Sequence, residues 1–240
     1  MLWTPKAPAL APRPLVTPLP RKLPISLHPS CVLALLPQND PKWFDHSSRG
    51  NHGIVHGATP TAKGPDGFAW ELGGVDDWIN CGNDTSLRIT DAITIVARIK
   101  PAATITTFQR IVGNEMAGDG LSFGVSSINN LDIHTSGSIN FSTTNNPLSV
   151  GIWQQCAMSF DKDAGINNGK IYLKGALVKT GTNPNPIPLN THVRAIGAKP
   201  DGTLLFRGLI DYVLIYNHAW SPRPADANYL PEIDPFLGSF

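Results

Sequence analysis

Short runs in which apolar and polar side chains alternate fill most of this chain. In residues 92–100, AITIVARIK, the side chains of Ile93 and Ile95 fall on one face of an extended strand, whereas Thr94 and Arg98 fall on the other. Successive side chains of a strand point to opposite faces, so a period of two is typical of a strand that is buried on one side. The pattern therefore predicts a half-buried strand here.

Similar runs recur along the chain and are separated by turn-forming residues. The other predicted strands are residues 31–36, 53–57, 68–72, 77–82, 109–114, 120–126, 130–136, 138–141, 152–161, 169–175, 176–181, 193–198 and 208–217. Turn formers such as GPDG at 64–67 and KPDG at 199–202 fill the gaps. Because no amphipathic segment of helical length lies between the runs, the pattern favours an all-β antiparallel sandwich. One short helix is predicted after Ser221, with Pro222 at its first position.

The first 30 residues differ in composition from the rest of the chain. They contain eight prolines, four Lys or Arg residues and no Asp or Glu. Proline fixes φ and lacks an N–H, so we expect this segment to be extended, as polyproline II, rather than helical or part of a sheet. The chain has no apolar run typical of a signal peptide or a membrane span. We therefore expect a protein made in the cytoplasm, without a signal peptide and without a membrane span.

The basic character of this arm predicts a docking role. It holds four of the 19 basic residues and none of the 18 acidic residues, which leaves the body mildly acidic. Four charges over 30 residues are too few for a nucleic-acid tail, which neutralises a run of phosphates. We predict that the arm docks on an acidic or grooved protein partner through Trp3, Arg13, Arg21 and Lys22. The alternative is that the arm folds back and covers an edge of its own sandwich.

The cysteines and histidines lack the spacing of a metal site. The cysteines lie in separate strand-like runs without a C-x-x-C motif, so we expect small buried hydrophobic side chains. They are Cys31, Cys81 and Cys156. Three histidines lie close in sequence, but no carboxylate or cysteine accompanies them at a familiar zinc spacing, and we expect them to satisfy backbone groups. They are His46, His52 and His56.

A series of phrases resembles one known family. In order they are DHSSRGNHG at 45–53, AWELGGVDDWINCG at 69–82, DAITIVARIKP at 91–101, WQQCAMSFD at 153–161, GKIYLKG at 169–175 and FRGLIDYVLIYNHAWS at 206–221. Over residues 28–230 the chain resembles the laminin-G-like, concanavalin A-like jelly-roll family. The resemblance implies a two-sheet jelly roll, with Trp153 in the core on a central strand. It also implies that any binding site lies on the concave face or in the loops at one edge.

Three segments follow from these observations. They are a Pro-rich docking arm at 1–27, a laminin-G-like jelly-roll domain at 28–230 and a C-terminal tail at 231–240.

Three aspartates lie in apolar surroundings and are candidate calcium ligands. Asp76 and Asp77 precede a tryptophan, and alternation places Asp211 on the face opposite to Ile210 and Tyr212. An unpaired buried carboxylate costs several kcal/mol, so Asp211 requires backbone donors, a cation or a raised pKa. The resemblance implies calcium near such positions in some family members. The alternative is that these aspartates accept backbone N–H groups at turns and strand ends.

The sequence does not predict an enzyme, and no residue is assigned as catalytic. The resemblance implies that glucanases of this fold carry their carboxylates in an E-x-D-x-E pattern on one strand, and glycoside hydrolysis usually requires such a pair. The three glutamates, Glu71, Glu115 and Glu232, do not form that pattern. The chain also lacks a G-x-S-x-G elbow and a glycine-rich phosphate loop.

Sugar-binding residues are harder to predict. Trp43 and Phe44 precede a polar loop, although Trp43 is more typical of a core residue. Four amides in predicted loops are Asn129, Asn130, Asn145 and Asn146. We assign no sugar site from the sequence.

Two functions remain, both without catalysis. The first is a structural or decoration protein of a larger extracellular assembly, such as a virus (phage) particle, anchored by its arm to a lattice protein or to a copy of itself. The second is a carbohydrate-binding adhesion module, with or without calcium, and no other cofactor is predicted. The arm is the less common feature, so the sequence favours the assembly role.

Overall fold

The computed structural model describes residues 27–220, apart from residues 66, 104, 117, 136–139 and 146. The predicted helix after Ser221 lies outside the described residues. The predicted docking residues of the arm also lie outside them: Trp3, Arg13, Arg21 and Lys22.

The described residues form two antiparallel sheets packed face to face. The eight-stranded sheet contains β1 (Cys31–Leu35), β3 (Thr59–Gly64), β4 (Gly67–Gly73), β6 (Ala92–Pro101), β11 (Gln154–Asp161), β12 (Gly169–Leu173), β13 (Ala176–Gly181) and β15 (Arg207–Tyr216). The seven-stranded sheet contains β2 (Ile54–His56), β5 (Trp78–Asn80), β7 (Gln109–Gly113), β8 (Ser122–Ser126), β9 (Asn130–His134), β10 (Asn140–Ser142) and β14 (Ala195–Ile196). This architecture confirms the predicted all-β jelly-roll sandwich.

The order of the strands follows from antiparallel pairing of segments distant in sequence. The eight-stranded sheet runs β13-β12-β11-β6-β15-β4-β3, with β1 also paired to β15. The seven-stranded sheet runs β10-β9-β8-β7-β14-β5-β2. Each run predicted from the sequence overlaps a strand. The sequence did not predict β3, because its residues TPTAKG include a proline and lack apolar alternation, which an edge strand tolerates.

The core lies between the two sheets. Trp43 and Trp70 are fully buried and stack with ring centroids 5.5 Å apart. The indole N–H of Trp43 donates to the carbonyl of Leu36 at 2.7 Å, which confirms Trp43 as a core residue. The predicted core position of Trp153 is wrong, because this residue lies directly before β11 and is half-buried.

The three cysteines are buried and free, as predicted. Burial raises the pKa of the Cys31 thiol to about 12. Burial also raises the pKa values of the other two thiols, Cys81 and Cys156.

The central strands of the eight-stranded sheet depart from simple alternation in two ways. The prediction that β6 is half-buried is wrong, because Val96 and Arg98 on its outer face are also buried. The register between β15 and β6 shifts between Ile210 and Tyr212. Ile210 packs in the core between the sheets, whereas Tyr212 packs with Val96 and Leu214 in a second cluster on the outer face, so a bulge at Asp211 breaks the predicted alternation.

Candidate functional site

The loop between β1 and β2 is folded around the carboxylate of Asp45. Its Oδ1 accepts the N–H groups of Ala34 at 2.8 Å and of Ser47 at 2.9 Å. Its Oδ2 accepts the N–H of Asn51 at 2.8 Å and the hydroxyl of Ser47 at 2.7 Å. Charge-assisted hydrogen bonds are the stronger kind, so four of them fix the backbone of residues 45–51.

An open groove of about 450 Å³ lies beside this loop. Three chain segments supply its polar lining: the loop itself, the short 3-10 helix Thr85–Leu87 with the residue before it, and the residue after β15. The lining residues are Val32, Ser48, Arg49, Asp84, Thr85, Ser86 and Asn217. The guanidinium, carboxylate, amide and hydroxyl groups together offer both donors and acceptors, which suits a ligand rich in hydroxyl groups.

Hydrogen bonds beneath the groove tie the three segments together. The side-chain amide of Asn51 donates to the carbonyl of Val32 at 2.7 Å and to the hydroxyl of Ser86 at 3.0 Å. The carboxylate of Asp84 accepts the N–H of Ser86 at 2.9 Å and so caps the 3-10 helix. This hydrogen bond lowers the pKa of Asp84. The backbone N–H of Asn217 donates to the carbonyl of Ser30 at 2.9 Å, which holds the main chain at this position.

A separate cluster of charges lies on the outer face of the seven-stranded sheet. Arg110 on β7 approaches Asp132 on β9 at 3.3 Å and Glu115 at 3.6 Å. His134 and Lys199 each lie 3.5 Å from the other oxygen of Glu115. Arg110, Glu115 and Asp132 are buried, so the two carboxylates are engaged in ion pairs rather than exposed to solvent.

The surroundings of these two carboxylates shift their pKa values in opposite directions. Burial raises the pKa of Asp132 more than Arg110 lowers it. Burial also acts to raise the pKa of Glu115, but the hydrogen bond and charge of His134, together with Lys199 and Arg110, outweigh it. The pKa of Glu115 is therefore lowered to about 2.

The structure does not bring the three predicted calcium ligands together. Asp211 on β15 forms a buried ion pair with Arg98, so of the three partners considered for this carboxylate the structure supplies a cation. Asp77, in the loop between β4 and β5, accepts the N–H of Gly73, and its neighbour Asp76 is exposed. Over the described part of the chain, no three His, Cys, Asp or Glu side chains are grouped as a metal site. The residues do not fit a shared calcium site, and calcium at Asp76 or Asp77 alone stays a prediction.

His52 in this loop and His56 at the end of β2 have local packing and hydrogen-bonding roles. His52 accepts the N–H of Asp45 through Nδ1 at 3.0 Å, as expected of a histidine that satisfies backbone. His56 stacks on Trp78 at 4.5 Å between centroids. Phe44 is exposed and packs its edge against His52.

The sugar-binding candidates that belong to the described residues do not line the groove. The side chain of Asn129 accepts the N–H of Ile105 at 2.9 Å, which gives it a role in its own loop. Asn146 lies outside the described residues. Sequence reasoning missed Arg49, Asp84 and Asn217, because these residues lie far apart in the chain. The one available signal was DHSSRGNHG, which marks the loop that carries Arg49.

Comparison with protein families places the chain in a known class. Residues 72–223, more than half of the chain, match the family described as the concanavalin A-like lectin/glucanases superfamily. The chain therefore belongs to this superfamily, which confirms the resemblance found in the sequence. No curated protein sequence matches the chain. In the described residues, no helix is both long and apolar enough to cross a membrane.

Several solved structures share the fold. Domain 4 of a GH43 extracellular arabinanase from Geobacillus stearothermophilus, in complex with arabinotriose, aligns with a TM-score of 0.64 and 20% identity over 80% of this chain and 95% of that domain. The sialidase of Trypanosoma rangeli aligns with a TM-score of 0.61 and 14% identity over 89% of this chain and 34% of its own. A chain of botulinum neurotoxin type C, which interacts with two ganglioside molecules, aligns with a TM-score of 0.58 and 15% identity over 87% of this chain and 50% of the neurotoxin chain.

At these identities the likeness shows the fold alone. The chain spans about a third of the sialidase and half of the neurotoxin chain. It is therefore a lectin/glucanase-like jelly roll whose structural neighbours include proteins that bind carbohydrates.

Proposed function

We propose that this chain is a non-catalytic carbohydrate-binding domain and that it binds a glycan in the groove lined by Arg49, Asp84 and Asn217. The observation that carries the proposal is the convergence of these three polar side chains, from separate segments, on one open groove of about 450 Å³. Each sugar hydroxyl can donate and accept a hydrogen bond. A carboxylate, a guanidinium and an amide around one groove can therefore bind neighbouring hydroxyls from several sides.

The rigidity of the groove walls supports binding by preformed geometry. The Asp45 network fixes the loop that carries Arg49, and the N-cap hydrogen bond fixes Asp84. Groups that are ordered before binding lose little conformational entropy when the ligand arrives. The hydrogen bonds gained from the sugar are then not offset by the cost of ordering the loop.

The distribution of carboxylates supports binding without hydrolysis. Glycoside hydrolysis usually needs two carboxyl groups that flank the scissile bond. Among the described residues, the groove lining includes one carboxylate, Asp84. The paired carboxylates of the seven-stranded sheet, Glu115 and Asp132, are buried against Arg110.

The assembly role stays a prediction. It rested on the arm, whose residues 1–26 lie outside the described residues. No feature of the described groove or sheets favours a virus particle or another extracellular assembly, whereas the fold has neighbours that bind carbohydrates. For this reason we favour the carbohydrate-binding role.

A glycan array tests the proposal, with binding read in calcium and in chelator. We expect binding that survives the chelator, because the described residues that line the groove do not form a set of metal ligands. Arg49→Ala and Asp84→Asn should each weaken binding about tenfold or more, the loss of one charge-assisted hydrogen bond. Asp84→Asn keeps an oxygen for the N-cap, so the fold should be retained.

Matched controls and one enzymatic assay complete the experiment. Asp163→Asn and Arg207→Ala change exposed residues outside the groove lining and should leave binding unchanged. Absence of glycan binding, or equal binding by the groove variants and the controls, would contradict the proposal. Release of sugar from a bound oligosaccharide would contradict its non-catalytic part.

A further inference from the structure

Arg49 lines the groove with a charged side chain that is not used within the protein. Its backbone N–H donates to the hydroxyl of Ser47 at 3.2 Å. Its guanidinium forms no hydrogen bond or ion pair with any residue that the structure describes. The residue is exposed, so the N–H donors of this permanently charged group are available to a ligand in the groove.

Three neutral side chains of the lining are also unpaired. The amide of Asn217 and the hydroxyls of Ser48 and Thr85 form no side-chain hydrogen bond in the described part of the molecule. Each of these groups can donate to a sugar hydroxyl and accept from one. The groove therefore offers neutral hydrogen-bonding groups beside an unpaired cation.

The carboxylate of Asp84 is engaged within the protein, in contrast to the guanidinium of Arg49. It accepts the N–H of Ser86 at 2.9 Å. Hydrogen bonds from Ser86 lower the pKa of Asp84 most, and the positive charge of Arg88 lowers it further. Arg88 is held in turn by its Nε, which donates to the carbonyl of Asn83 at 3.0 Å. The negative charge of Asp84 is thus partly balanced inside the protein, whereas the positive charge of Arg49 is not.

We propose that the ligand of the groove is a glycan that bears a carboxylate, such as a uronic acid, and that the guanidinium of Arg49 pairs with this carboxylate. The inference rests on the carbohydrate-binding role proposed above and names the class of sugar. A planar guanidinium can donate two parallel N–H bonds to the two oxygens of one carboxylate, and such charge-assisted bonds are roughly twice as strong as neutral ones. A neutral sugar offers only hydroxyl groups to Arg49, so the acidic sugar gains the larger free energy of binding.

The other charges near the groove favour a sugar with one carboxylate over a sulfated polyanion. Asp84 belongs to the lining, and the carboxylate of Asp45 is buried in the loop that carries Arg49. Four of the 19 basic residues lie in the first 30 positions, so 15 remain in the rest of the chain against all 18 acidic residues. A polyanion would bring several negative charges toward these carboxylates, and like charges placed together oppose binding.

Binding to matched pairs of glycans tests this proposal. The array carries uronic-acid and sialic-acid glycans, each beside the same glycan with its carboxyl group reduced to an alcohol, together with sulfated glycans. We expect the full chain to bind an acidic glycan about tenfold more tightly than its reduced counterpart, or better, which is the contribution of one charge-assisted pair. The difference should shrink as the salt concentration rises, because salt screens exposed charges.

Three variants test whether Arg49 causes the preference. Arg49→Gln removes the charge and should lower the affinity for the acidic glycan to that for its reduced counterpart. Arg49→Lys keeps the charge without the planar fork and should retain part of the preference. Arg207→Gln is the matched control, because Arg207 is exposed and lies outside the groove lining, and it should leave the preference unchanged. The Arg49 side chain has no hydrogen bond to the described protein, so its variants should stay folded, as circular dichroism can check.

The outcomes separate this proposal from the carbohydrate-binding role on which it rests. Equal affinity for acidic and reduced glycans, tighter binding of sulfated glycans, or a preference that survives in Arg49→Gln would overturn the proposal. In each of these cases the chain still binds glycans, and the carbohydrate-binding role stands. Absence of binding to every glycan on the array would overturn both.

Discussion

Replacing Asp45 by asparagine tests the loop that forms one wall of the groove. The asparagine side chain can keep the Oδ1 bonds to the N–H groups of Ala34 and Ser47, but its amide group would face the N–H of Asn51. The hydroxyl of Ser47 can rotate and accept from this amide. The net loss is one charge-assisted bond, about 1.5–3 kcal/mol, and one buried donor left unpaired, about 1–3 kcal/mol. We expect Asp45→Asn to cost about 3 kcal/mol of unfolding free energy.

Calorimetry and urea unfolding measure this change. A loss of about 3 kcal/mol lowers Tm by about 6–12 °C in a domain of this size. Asp40→Asn is the matched control, because Asp40 is only half-buried and accepts one solvent-exposed backbone N–H, from Lys42 at 3.0 Å. It should cost about 0.5 kcal/mol or less. If Asp45→Asn were as stable as Asp40→Asn, the argument that one buried carboxylate organises the loop would be refuted.

Three further predictions concern the sheets and the core. Arg110→Met leaves two buried carboxylates without their shared cation, so urea unfolding should show a loss of about 3–5 kcal/mol. The pKa of Glu115 is lowered from 4.5 to about 2, so its ionised carboxylate stabilises the fold at neutral pH. Glu115→Gln should therefore lower the unfolding free energy at pH 7, and its difference from the wild-type chain should shrink as pH falls from about 4.5 through 2. Gly181→Ala would press a methyl group into the ring of Phe141 and should cost about 1–3 kcal/mol in the same assay.

The sequence predicted the class of fold because the period-two pattern reports burial on one side of each strand. That pattern is local, so it located almost every strand. It failed at Asp211, because a bulge depends on which strand is paired opposite and in what register. It also failed on the outer face of β6, where Val96 and Arg98 are covered although alternation assigned them to the solvent side.

The site was less predictable than the fold. Asp211 was expected to need backbone donors, a cation or a raised pKa, because the cost of an unpaired buried carboxylate can be judged from the sequence, and Arg98 is the cation that pairs with it. The groove was not predicted, because the loops that carry Arg49, Asp84 and Asn217 meet through the jelly-roll topology. Convergence of distant segments leaves no periodic signal in a single sequence.

Calorimetric titration with a glycan that binds on the array tests the central claim most directly. The wild-type chain and the double variant Arg49→Ala with Asp84→Asn are compared, and circular dichroism shows that both are folded. We predict saturable binding at one site by the wild-type chain and loss of measurable heat in the double variant. Equal affinity in both proteins would contradict the assignment of the groove as the carbohydrate-binding site.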